Sequence, residues 1–170
     1  MTAAEWDSEY FSLDARRNRE LFARYGYAMH NAQCLEKQLA IMLALADPGF
    51  FTECPQVRGS LFDAALSETF GAIWKKLSAV VPFGKDVVDR IYEAKTARNH
   101  LAHNYFWQHA ADLLDARKQE SLIEELTAIA NRFKKLDDEL VRITEAYVYR
   151  MGVTEEQISH ELELLKSQDG

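Results

Sequence analysis

Apolar residues at Leu21, Tyr25, Ala28, Ala32, Leu35, Leu39, Met42 and Ala46 advance in alternating steps of four and three. On a helix of about 3.6 residues per turn that spacing keeps a single stripe. It predicts a long helix over 19–46, stopped by Asp47-Pro48-Gly49. Leu122, Leu126, Ile129, Phe133, Leu136, Leu140, Ile143 and Tyr147 repeat the rhythm and predict a second long helix over 117–150, closed by Met151-Gly152. Between them, Pro48 to Gly59 reads as a loop whose Phe50-Phe51 pair packs inward. A helix is expected over 60–80, with Leu61, Ala65, Phe70, Ile73, Trp74 and Leu77 on one side and Pro82 and Gly84 beyond its end. Another starts near Lys85 and carries Val87, Val88, Ile91, Tyr92, Ala94 and Ala97 towards Arg98. Trp6, Tyr10 and Leu13 point to a short helix over 3–15, and a capping box of Thr154 and Gln157 opens a last helix through Ile158, Leu162 and Leu165. No stretch alternates with period two, and no Asn-Gly or Asp-Gly pair sits between two such runs. The pattern is that of an all-α, antiparallel helical bundle of five to six helices. Two long seams imply antiparallel packing, and leftover apolar faces suit a homodimer.

Length and composition fit one domain over 1–170, with a core at about 20–150 and the terminal helices as additions. At 170 residues and 48% hydrophobic content, a chain buries enough surface to need neither a metal nor a disulfide as a staple. Cys34 and Cys54 therefore read as reduced thiols of a cytoplasmic protein. The longest apolar run, Leu39 to Ala46, is too short to span a membrane, and Glu5 and Asp7 are wrong for a signal peptide. The net charge of −7 sits mostly in the last third: residues 1–119 carry 14 Lys+Arg against 15 Asp+Glu, and 120–170 carry 6 against 12. Such a chain does not coat nucleic acid by bulk charge, so any contact with it has to be local.

Several chemistries have no motif to stand on. The chain has no Gly-rich phosphate loop, no Gly-x-Ser-x-Gly, no Cys-x-x-Cys, no His-Glu-x-x-His and no calcium-binding loop. No His follows a Glu by three residues, as di-iron bundles require. His100 and His103 have a spacing that could share a metal with His30 or His109. Without a fuller pattern, no metal and no cofactor are assigned.

The unusual residues gather in Thr96-Ala97-Arg98-Asn99-His100-Leu101-Ala102-His103-Asn104-Tyr105-Phe106-Trp107. Arg98 is a permanent cation whose planar fork suits a phosphate, and His103 gives and takes protons near neutral pH. Metal-free RNA cleavage needs a base for the ribose 2′-hydroxyl, a donor to the phosphorus centre and an acid for the leaving 5′-oxygen. Five residues turn a helix by a net angle of about 140°, so Arg98 and His103 are not side by side on a straight helix, whereas Asn99 and His103 are. A bend near the motif, or a second subunit presenting its own copy, would bring them together.

This segment resembles the motif of HEPN domains, an all-α family whose ribonuclease members carry Arg, four to six residues, then His. Here the spacing is four, Asn99 follows the Arg, and His103-Asn104-Tyr105 matches the His-any-Tyr form of toxins paired with minimal nucleotidyltransferases. The bare Arg and His pair arises by chance about 0.3 times in a chain of this composition, and the string with Asn and Tyr roughly 0.0004 times. Upstream, Glu68-Thr69-Phe70-Gly71-Ala72-Ile73 and Asn31 to Leu39, with Glu36 facing inward, are similar to the family's core helices. The resemblance covers about 20–150, and leaves the N-terminal helix and the acidic segment after Met151 outside it.

The resemblance implies a homodimer whose two motifs meet in a cleft between subunits and cut RNA without metal, in toxin-antitoxin or antiviral defence. Arg98 would polarise the scissile phosphate, His103 would serve as base or acid, and Asn99 would orient one of them. Lys95 and Asn104 would add substrate contacts. Tyr105 would touch RNA or accept adenylyl groups from a nucleotidyltransferase, which with an antitoxin makes up the expected partners. Two other readings stay open. Arg98 could form a structural ion pair with Glu36 or Glu93 in a catalytically inactive dimer acting as scaffold, antitoxin or nucleotide-binding module, or the histidines could belong to a metal-binding bundle. Tyr105, Phe106 and Trp107 could be core rather than base-stacking residues.

Overall fold

The computed structural model describes residues 13–47, 49–52 and 55–156, and every described element is helical. The order is α1 (Leu13–Leu45), α2 (Pro55–Leu66), α3 (Phe70–Val80), α4 (Lys85–His103), a short α5 (Tyr105–Gln108), a single 3-10 turn (Asp112–Leu114) and α6 (Ala116–Arg150). The predicted helix over 3–15 falls largely, and the one opened by the capping box almost wholly, outside the described residues.

Both long seams are core. Leu21, Ala28, Ala32, Leu35 and Leu39 on α1, and Leu126 and Leu140 on α6, are fully buried, with Leu122, Ile129, Phe133 and Leu136 nearly so. The seam of α6 continues to Ile143 and Tyr147, but these last positions are exposed among the described residues.

The direction of pairing differs from the expectation. Near its start α1 meets the start of α6, where Gln119 Nε2 donates to Asn18 Oδ1 at 3.0 Å, and near its end Gln38 Nε2 donates to Thr144 Oγ1 at 2.7 Å. The two long helices therefore run parallel. Their antiparallel neighbour is α4, whose Arg90 reaches Glu139 while Tyr105, just past its end, reaches Leu122, and whose Arg98 and Leu101 meet Glu36 and Tyr25. A seam reports which face of a helix is buried and nothing about its direction. With four helices intervening, the chain is long enough to return either way.

Other boundaries also move: α1 starts at Leu13 rather than at residue 19, taking in the end of the helix expected over 3–15. The expected loop over 48–59 already contains the start of α2 at Pro55, where proline's missing N–H costs a first helical turn nothing. The expected helix over 60–80 is two helices, parted at Ser67-Glu68-Thr69. Thr69 is extended and its Oγ1 accepts from Ala72 N at 3.4 Å, an N-cap that starts α3 afresh. The inward packing of the Phe50-Phe51 pair holds, with Phe50 buried against Phe62, ring centroids 5.1 Å apart.

Arg90 ties α4 to α6 through two bonds to Glu139, Nη1 to Oε2 at 2.6 Å and Nη2 to Oε1 at 3.0 Å, and also meets Asp86. The bond to Arg90 holds the Glu139 carboxyl below its ordinary range despite the opposing effect of burial. A depressed folded value means that the stabilisation is complete above the carboxylate's ordinary pKa and is lost as pH falls through the folded value. Glu139→Gln is expected to cost about 1–2 kcal/mol near neutral pH, between an exposed pair and a charge-assisted bond. Urea unfolding should show the deficit shrinking as pH falls through the depressed folded value, where the wild-type carboxyl itself takes up a proton.

Candidate functional site

The motif occupies the last turns of α4. Ile91, Ala94 and Leu101 face inward, which fixes the rotation of the helix and so the direction of every polar residue between them. Tyr25 on α1 anchors the end, its hydroxyl donating at 3.0 Å to the Leu101 carbonyl, one of the last-turn carbonyls that a helix leaves without an intrahelical partner. Around it Tyr25 packs on Phe106 and Tyr105, and Phe22 packs on Phe106, at centroid separations of 4.6, 6.0 and 5.3 Å.

Arg98 points towards α1. Its Nη2 donates to Glu36 Oε2 at 3.2 Å and its Nη1 to Asn99 Oδ1 at 3.4 Å, and the side chain keeps 28% of its surface exposed. These two long contacts occupy only part of a five-donor fork, so donors remain for an anion. The inward face expected for Glu36 is what places it in this pair. A cavity of about 430 Å³ opens beside Glu36, with Gln33, Lys37, Ala40, Leu66, Glu68 and Ile73 as its other walls.

His103 is the last residue of α4 and is exposed, as are Asn99 and Asn104. Asn104 caps the helix by donating its backbone N–H to the His100 carbonyl at 2.9 Å. α4 runs without interruption from Arg98 to His103, so the net turn of about 140° between them stands and one protomer does not bring the two side by side. Lys95 is half-buried. It lies over Gly71 on α3, where a Cβ would meet Lys95 Cε at an ordinary contact distance of 3.5 Å.

Tyr105 is the departure. It is 1% exposed, and its hydroxyl donates to the Leu122 carbonyl at 3.4 Å. Burial, followed by the charge of Glu125, pushes its phenol pKa well above the usual value, so it stays neutral. In this arrangement Tyr105 is a core residue facing away from solvent, and contact with RNA or acceptance of an adenylyl group requires α5 to open. Phe106 is likewise packed inward. Trp107 is the aromatic left outside, 84% exposed, with Phe22 and Leu114 also exposed on this part of the bundle.

Of the histidines considered for a metal, His100 and His109 come together, with ring centroids 6.4 Å apart, and His30 instead faces Cys34 at 3.6 Å on α1. Their third neighbour, Glu125 on α6, was not legible in the sequence, because no spacing rule links it to residues on α4. Asp112, which meets His109 Nδ1 at 3.2 Å, follows it by only three residues, a local spacing in the sequence that was passed over. Cys54 and His160 lie outside the described residues.

Among the described residues no helix is long and apolar enough to cross a membrane. Comparison with protein-family models, curated proteins and solved structures returned no match to this chain.

Proposed function

We propose that this chain is a metal-independent endoribonuclease of HEPN type, acting as a homodimer. The observation that carries the reading is the Arg98-Asn99-x-x-x-His103 string on the final turns of an unbroken helix, with the histidine exposed at its end and guanidinium donors to spare. In the reaction the ribose 2′-oxygen bonds to phosphorus as its proton passes to a base. The bond from phosphorus to the 5′-oxygen breaks, and that oxygen takes a proton from an acid. The products are a 2′,3′-cyclic phosphate and a 5′-hydroxyl. Arg98 stabilises the charge on the phosphoryl oxygens, and His103 serves as base or acid. Asn99, on the same face as His103, orients it or the phosphate, while Lys95 and Asn104 add substrate contacts. Because the straight helix separates Arg98 from His103 in rotation, the working site pairs Arg98 of one subunit with His103 of the other. Trp107 supplies an exposed face for stacking a base.

The Arg98 and Glu36 pair favours a second reading, a catalytically inactive dimer in which Arg98 is structural. A cytoplasmic role in toxin-antitoxin or antiviral defence, with an antitoxin or a minimal nucleotidyltransferase as partner, rests on the family resemblance alone. The experiment that separates the readings is incubation of the purified protein with mixed cellular RNA in excess EDTA, with the fragment ends analysed. Fragments ending in 2′,3′-cyclic phosphate are expected. Intact RNA in the presence of a folded protein would sink the catalytic reading.

A further inference from the structure

His100 near the end of α4, His109 just past α5 and Glu125 on α6 converge, with one ligating atom of each within 4.8 Å of the others. They come from three separate elements, and the convergence is built into the packing. Tyr105 forms the apolar floor, its ring 5.7 Å from that of His100 and 4.8 Å from that of His109. His109 is also oriented from outside, with Nδ1 3.2 Å from Asp112 Oδ2, while Lys118 Nζ donates to Asp112 Oδ1 at 2.6 Å. With Nδ1–H given to a carboxylate, the lone pair of His109 on Nε2 is left to ligate. This carboxylate to histidine relay is the usual support of a zinc ligand.

We propose that His100, His109 and Glu125 bind one divalent transition-metal ion of the zinc class, with Asp112 as the residue that orients His109. Two imidazoles select such an ion over magnesium or calcium, which prefer all-oxygen shells. Ligand atoms of a tetrahedral ion with bonds of about 2.1 Å lie about 3.4 Å apart, so modest side-chain rotation closes the set and leaves a fourth position for water. The ion clamps the end of α4, the α5 turn and α6 together. It departs from the expectation that the chain holds no metal. It is independent of the ribonuclease reading, whose chemistry does not pass through it.

The test is titration of the full chain with Zn(II) by calorimetry, with Co(II) absorption reporting the ligand set. Binding of one ion per chain is expected, together with a melting temperature raised by about 5–10 °C when free Zn(II) is a hundredfold above its dissociation constant. His109→Asn and Glu125→Gln should each abolish this binding, and Asp112→Asn should weaken it by about 10–100-fold at unchanged stoichiometry. If His109→Asn fails to fold, Glu125→Gln, which keeps size and shape, decides the matter. No one-to-one binding by folded wild-type protein, or binding undiminished in Glu125→Gln, would overturn the proposal.

Discussion

His103→Ala is expected to lower RNA cleavage by about 10²–10⁴-fold, the range in which a lost general acid or base is felt, and to leave the helical spectrum and the melting temperature nearly unchanged. The side chain is exposed at the end of α4, and a surface substitution of this kind costs within about 0.5 kcal/mol of stability. Arg98→Ala should lose as much activity, but its stability cannot stay neutral, because it leaves the half-buried Glu36 carboxylate without its cation. Comparing the two separates catalysis from structure. If Arg98 is only structural, His103→Ala is silent and Arg98→Ala merely melts earlier. Glu36→Gln sharpens the contrast by removing the ion pair while leaving the guanidinium in place. In an enzyme whose Arg98 works on phosphate, cleavage should persist in this variant.

Tyr105 carries the second large effect. Tyr105→Ala empties a fully enclosed position surrounded by Tyr25, Phe106 and His109, and should cost about 3–5 kcal/mol, enough to lower the melting temperature by roughly 6–20 °C. Tyr105→Phe removes only the long 3.4 Å bond to the Leu122 carbonyl and should cost about 0.5–1.5 kcal/mol, with cleavage within a few-fold of wild type. Thermal melts and a cleavage assay on both variants check this. A Tyr105→Phe protein of wild-type stability that no longer cuts RNA would return the phenol to the site, where the sequence motif alone would put it.

The helices were legible because periodicity reports burial, and both seams hold from Leu21 to Leu39 and from Leu122 to Leu140. Direction was not legible, and the parallel course of α1 and α6 emerges only from contacts such as Gln38 with Thr144. The break at Thr69 was written in the sequence as a threonine ahead of an apolar run. It was outweighed by an apolar stripe that continued across it. Within the site, Arg98, Asn99 and His103 sit on the helix that the pattern predicts. The choice between a catalytic and a core role for Tyr105 depended on the rotation of α5, which a four-residue helix does not encode by period. The cluster of His100, His109 and Glu125 depends on three elements meeting, and no local spacing carries that.

Catalysis as proposed turns on a composite site, and mixing two inactive variants tests it most directly. Arg98→Ala and His103→Ala subunits, each inactive alone, should regain cleavage when exchanged into mixed dimers, because Arg98 from one and His103 from the other rebuild one of two sites. Random exchange makes about half the dimers mixed, so recovery to about a quarter of wild-type activity is predicted. A mixture shown to contain mixed dimers that remains as inactive as its components would contradict the composite site.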